Sequence, residues 1–195
     1  MEKIQIIGIT GFKRSGKDLV ASWLHEQYGY SRMAFADPLK RGVAAIFGLS
    51  DDQVFNDAKD RKDPFWGVTP REILQIMGTE VMRQAFPKML PGLACGSDFW
   101  IKRMERQILE SHAGDIRHAR IAIPDVRFSN EYDLIRRLGG FVIKIVRLSQ
   151  VGKSVDGHAS ESDDVPYDEL IEAGDGQIDL IHQKTDEILR RRCGN

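Results

Sequence analysis

Apolar residues along this chain recur with two periods. Runs such as Ile4-Gln5-Ile6-Ile7-Gly8-Ile9 and Phe141-Val142-Ile143-Lys144-Ile145-Val146 read as buried strands, whereas Leu19, Val20, Trp23 and Leu24 fall on one face of a helix. Taken in order, the pattern predicts strands over 4–9, 31–35, 121–127, 141–146 and 177–182. Helices are predicted after residue 17, from Asp37-Pro38, from Thr69-Pro70, from Ser97-Asp98, from Asn130, over 166–173 and over 184–192. Asp37-Pro38 supplies a carboxylate cap and a first-turn proline, with Leu39, Val43, Ile46 and Phe47 as the apolar face. Thr69-Pro70-Arg71-Glu72 is a capping box. Pro124 should stop its strand, Gly139-Gly140 its helix. Strands that alternate with helices predict an α/β fold: a five-stranded parallel sheet flanked by helices.

Three departures from this alternation locate function. Residues 38–112 hold helices and no strand, so they read as a helical lobe inserted into a core of 1–37 and 113–195. Insertions at the carboxyl ends of parallel strands are where such scaffolds place specificity. Residues 49–68 are charged and polar, which predicts a mobile connection outside the sheet. Residues 148–165 are polar, with His158 and Glu161 among several acids, and read as a lid.

The first strand runs into Gly11-Phe12-Lys13-Arg14-Ser15-Gly16-Lys17-Asp18, with the spacing of a phosphate-binding loop. In such a loop backbone N–H groups surround phosphate oxygens at a helix N-terminus, and Lys17 would reach the outer phosphates. Gly11 and Gly16 permit backbone shapes that a β-carbon forbids. Asp18 stands where a serine or threonine hydroxyl usually meets Mg²⁺, and a carboxylate suits that ion directly or through water. Asp125 and Arg127 end the third strand, as Arg147 ends the fourth; a carboxylate there can hold Mg²⁺ or substrate, and arginine grips phosphate with a planar fork. In the lobe, Lys40 lies near the start of its helix, and Gly78-Thr79 interrupts helical spacing where a ligand or another backbone comes close.

Composition narrows the class further. The chain has 195 residues, 42% hydrophobic and 29% charged, with a net charge of −1. This is an ordinary globular balance, without the basic field of nucleic-acid binders or a span-length apolar run. No secretory signal is visible, which predicts a cytoplasmic protein, in the host cytoplasm if phage-encoded. Cys95 and Cys193 have no metal-ligand spacing, and Arg190-Arg191-Arg192 suits the end of a helix. Oligomeric state, a homodimer included, is left open.

These residues together resemble the bacteriophage deoxynucleoside monophosphate kinases, a branch of the phosphate-loop kinases. The resemblance runs from end to end. It is carried by the loop ending Gly16-Lys17-Asp18, by Ala36-Asp37-Pro38-Leu39-Lys40, Met77-Gly78-Thr79-Glu80, Trp100 and Pro124-Asp125-Val126-Arg127. It implies transfer of the γ-phosphate of ATP to a deoxynucleoside 5′-monophosphate with Mg²⁺. Gly11 and Lys13 to Asp18 would hold ATP. Lys40, Arg71, Gly78, Thr79, Trp100 and Asp125 would hold the acceptor, with Trp100 stacked on a base. Asp18 and Asp125 are the metal candidates, and Lys17, Arg127 and Arg147 would neutralise the transferring group. Animal-type phosphomevalonate kinases share a similar loop and Asp-x-Arg strand end, and a non-catalytic ATP sensor is the alternative from another class.

Overall fold

The computed structural model describes residues 5–93, 95–112, 118–151 and 165–194. It divides into two compact units, Met1–Ala34 with Gln107–Asn195, and Phe35–Arg106.

The first unit is built on a parallel sheet of five strands: β1 (Gln5–Thr10), β2 (Ser31–Arg32), β3 (Arg120–Ile123), β4 (Phe141–Arg147) and β5 (Glu169–Ala173), in spatial order β2-β3-β1-β4-β5. Strand alternation sends Ile7, Ile9, Phe141, Ile143 and Ile145 to one face. There they pack with Val20, Ala21 and Leu24 of α1 (Lys17–Tyr28) and with Ile181, Ile188 and Leu189 of a long C-terminal helix, Ile178–Cys193. On the opposite face Gly8 leaves room for Ile135 of a third helix, Ser129–Arg137. A β-carbon at Gly8 would lie 2.5 Å from Ile135 Cδ1. A central strand buried on both faces reads as the continuous apolar run that the sequence contains.

Several predicted elements are corrected. The stretch 166–173 was expected to be a helix and 177–182 a strand; instead β5 is Glu169–Ala173 and the final helix already starts at Ile178. In β5 only Ile171 and Ala173 are buried, at a spacing of two, and pairing with β4 overrides the helix propensity of Glu, Leu and Ala. The strand expected over 31–35 is ladder-paired only at Ser31–Arg32, although the Met33 N–H still donates to the Ala122 carbonyl at 3.0 Å. The helix expected from an Asn130 cap starts at Ser129. The two residues before it are held by Glu131, a buried carboxylate that accepts from Arg127 N at 2.7 Å and Phe128 N at 3.2 Å.

The second unit is helical. It comprises α2 (Asp37–Phe47), α3 (Asp51–Phe55), α4 (Pro70–Gln75), a π-helical stretch Ile76–Ala85, α5 (Phe86–Met89) and the start of α6 (Phe99–Ser111). The unit boundary falls within α6, and in the first unit α7 (Ser129–Arg137) follows β3 and α8 (Ile178–Cys193) follows β5. Val43, Leu49, Val54 and Ile73 form its core, with Leu39, Phe47, Phe55 and Met77 against it; Ile46, expected inward, is exposed. Residues 49–68, expected as a mobile connection, contain α3 with a Ser50–Gln53 capping box and a turn in which the Asp63 carboxylate accepts from the N–H groups of Phe65 and Trp66 at 2.9 and 3.0 Å. The Thr69–Glu72 capping box forms as its sequence implies. The Thr69 N–H, first of all, stabilises the Glu72 carboxylate and holds it below the usual glutamate range.

Candidate active site

In the first unit the loop between β1 and α1 is shaped by three residues with left-handed backbone. Gly11 has φ 137°, Gly16 has φ 114°, and Arg14, with a side chain, has φ 63°. At Gly11 a β-carbon would stand 2.3 Å from the Ile145 carbonyl oxygen of β4, so only glycine lets the loop lie against that strand. Strain at a side-chain-bearing residue costs energy and tends to persist where function over-determines the backbone, which singles out Arg14. Lys17 folds back over the loop, donating to the carbonyls of Gly11 and Phe12 at 2.7 and 2.6 Å. Ser15 is buried, its N–H donates to the Phe12 carbonyl at 3.1 Å, and its Oγ has no hydrogen-bond partner among the described residues. Lys13 and Arg14 are exposed.

Arg147, at the end of β4, belongs to this loop in space. Its Nη2 lies 3.9 Å from where a β-carbon on Gly16 would be, and its Nη1 is 3.3 Å from Asp175 Oδ1. Asp175 also accepts from Ser149 Oγ at 2.9 Å, and Gln150 donates to the Lys13 carbonyl at 2.9 Å. The turns after β4 and β5 are therefore tied to one another and to the phosphate loop. Asp125 and Arg127 flank Val126, whose N–H donates to the Ile9 carbonyl at 3.2 Å and so hangs the turn after β3 on β1. Asp125 is half-buried and Arg127 exposed. Asp18 points outward, 80% exposed at its side chain, and pairs with Arg32 at 2.8 Å.

The acceptor candidates Lys40, Arg71, Gly78, Thr79 and Trp100 all lie in the second unit. Gly78 is packed so closely that a β-carbon would meet Leu39 Cδ2 at 2.6 Å. Its carbonyl accepts the indole N–H of Trp100 at 2.9 Å, and Trp100 is only 7% exposed, edge-on to Phe99. The indole thus braces the π-helical stretch, a distortion that recurs at functional sites. Thr79 is buried beside it. Lys40 sits 3.7 Å from Asp37 and 5.0 Å from the Phe55 ring centroid, and Arg71 is held by both oxygens of Asp60. His158 and Glu161, with most of the expected lid, lie outside the described residues.

Arg32, Glu131, Ser149, Gln150 and Asp175 were not singled out by sequence reasoning. Asp175 and Gln150 follow strands at their carboxyl ends, where ligands of parallel sheets bind, and a correct placement of β5 would have drawn attention to Asp175.

A glycine loop that opens a helix with a lysine, set at the carboxyl edge of a parallel sheet, defines a phosphate-loop α/β protein. The family model "Deoxynucleotide monophosphate kinase" matches residues 50–184. A protein of Acanthamoeba polyphaga mimivirus named "Putative deoxynucleotide monophosphate kinase" is 36% identical over 186 residues, 93% of this chain and 90% of that protein. The chain belongs to the deoxynucleotide monophosphate kinase family. Among solved structures, TT1252 from Thermus thermophilus aligns with TM-score 0.49 and 16% identity over 96% of this chain and 98% of that one. Dephospho-CoA kinase from Campylobacter jejuni aligns with TM-score 0.46 and 16% identity over 99% of each. The matches to the family and to the viral relative favour neither a phosphomevalonate kinase nor a nucleotide sensor.

Proposed function

We propose that this kinase transfers the γ-phosphate of ATP to the 5′-phosphate of a deoxynucleoside monophosphate, giving the diphosphate and ADP. Membership of the family carries the reading. The donor end is the loop from Gly11 to Asp18: its N–H groups and the α1 N-terminus take the phosphates, and Lys17 exchanges its two carbonyl acceptors for phosphate oxygens. Arg147, beside Gly16, and Arg127 neutralise charge on the phosphoryl group as it moves. No protein base is needed, because the attacking phosphate monoester is already ionised, and catalysis consists of positioning plus electrostatics.

The acceptor is taken by Lys40, Arg71, Gly78, Thr79 and Asp125. Trp100 acts there through the Gly78 carbonyl, since its buried indole is already occupied by that bond and by packing. Asp18 and Asp125 fit Mg²⁺ as hard carboxylate donors, and this ion is commonly held by one or two carboxylates together with substrate phosphates. Bound Mg²⁺ offsets charge on the phosphate oxygens. The ligands are small nucleotides rather than nucleic acid, and the reaction is a cytoplasmic one.

The test is ADP production by purified protein with Mg-ATP and each deoxynucleoside monophosphate in turn. Turnover with at least one of them, lost in Lys17→Ala, is expected. Turnover with phosphomevalonate alone, or ATP binding without acceptor-dependent turnover, would refute the reading.

A further inference from the structure

Several cations in the second unit are matched with carboxylates: Lys40 with Asp37, Arg71 with Asp60, Lys102 with Glu105. Arg103 differs from these in having a donor shut away from both water and partner. Its Nη1 is sealed from solvent and has no hydrogen-bond partner among the described residues. A guanidinium is always charged, and a buried N–H of that charge without an acceptor is among the costlier arrangements a fold can hold.

The position of Arg103 strengthens the point. It lies one helical turn after Trp100 on α6, and residues three apart share a helix face. Trp100 is the residue whose indole holds the Gly78 carbonyl, so Arg103 belongs to the side of α6 turned toward the π-helical stretch with buried Thr79. We infer that Arg103 is an acceptor-binding residue, and that its guanidinium takes the 5′-phosphate of the deoxynucleoside monophosphate. A planar fork of N–H donors matches a phosphate dianion, and the ligand supplies the acceptor that the fold omits. The inference rests on the reaction proposed above and gives its acceptor phosphate a specific partner.

Arg103→Met and Arg103→Lys test it, with thermal melting and steady-state kinetics. Arg103→Met keeps the packing stem but removes the charge. It should melt at the wild-type temperature or higher, raise KM for the deoxynucleoside monophosphate by about tenfold or more, and leave KM for ATP within about twofold. The lysine variant should recover part of the acceptor affinity. Without ATP, melting shifts produced by the monophosphate and by inorganic phosphate should be smaller in Arg103→Met than in the wild type, the remainder belonging to the phosphate loop, while any shift produced by the phosphate-free deoxynucleoside is unchanged. An unchanged acceptor KM, or a lower melting temperature with ATP and acceptor affinities lost together, would overturn the inference. Absence of wild-type turnover with every monophosphate would instead refute the proposed reaction, and the inorganic phosphate shift would still decide whether Arg103 holds an oxyanion.

Discussion

Replacing Gly11 by alanine should separate the shape of the phosphate loop from its charge. Two costs act together. The backbone at φ 137° is one that residues with a β-carbon seldom adopt, at about 1–3 kcal/mol. The new methyl would also stand 2.3 Å from the Ile145 carbonyl oxygen, and because that atom is β4 backbone it cannot turn aside; overpacking of this kind costs about 1–3 kcal/mol. The sum, about 2–6 kcal/mol, is a large part of the 5–15 kcal/mol that holds a typical domain, and corresponds to a fall in melting temperature of about 5–20 °C. Gly29 is the control. It too has positive φ, 69°, but a β-carbon there meets nothing within 4 Å, so Gly29→Ala should cost about 1 kcal/mol. Thermal melts of both variants, with ATP titrated calorimetrically into each, form the assay. Gly11→Ala should melt well below Gly29→Ala and bind ATP at least about tenfold more weakly. Equal melting temperatures would show that β4 does not constrain the loop, and the steric argument would fall.

Other perturbations address other parts. Glu131→Ala removes a buried carboxylate that accepts from the N–H groups of Arg127 and Phe128, and should cost about 2–4 kcal/mol in a urea titration, with Glu131→Gln milder because an amide oxygen can still accept; if alanine and glutamine cost the same, the carboxylate does not anchor this turn. Tyr30 is fully buried and donates to Gln5 Oε1 at 2.7 Å, and burial above all pushes its phenol up from the usual 10.0. Its raised folded value means that stability from this group is complete below the unfolded pKa and is lost as pH climbs from there toward the folded one. Melting temperature should therefore fall between about pH 10 and 12, less steeply in Tyr30→Phe; the slope should not vanish, since Tyr28 and Tyr132 are raised too. Identical slopes would remove Tyr30 from the account.

The phosphate loop was legible because its signature is written in local spacing: two glycines, a lysine and the strand before them mark the backbone shape, which β4 then holds in place. The β5 region was not. Glu169-Leu170-Ile171-Glu172-Ala173 has helix-favouring residues, and only the hydrogen-bond ladder offered by β4 makes it a strand, a fact held by residues more than twenty positions away. The same applies to Arg32 of β2 with Asp18 of α1, and to Arg147 at the end of β4 with Asp175 after β5, which are partners on separate elements. The placement of Trp100 was not legible either. An aromatic side chain near a nucleotide suggests stacking, and only the three-dimensional arrangement reveals that the indole N–H is spent on the Gly78 carbonyl.

The strand order carries a consequence for how the molecule is made. β1 is flanked by β3 and β4, so the segment that leads into the phosphate loop is synthesised first but finds its neighbours only after residue 120. The Phe35–Arg106 unit, continuous in sequence, needs nothing from later residues to complete its own core of Val43, Leu49, Val54 and Ile73. At synthesis rates of about 5–20 residues per second, the N-terminal strand waits several seconds with its apolar run unpaired. Capacity to bind the phosphate donor is therefore acquired late, and a truncated chain that stops before β4 would carry the whole loop motif without the Ile145 carbonyl and Arg147 that give it shape and charge.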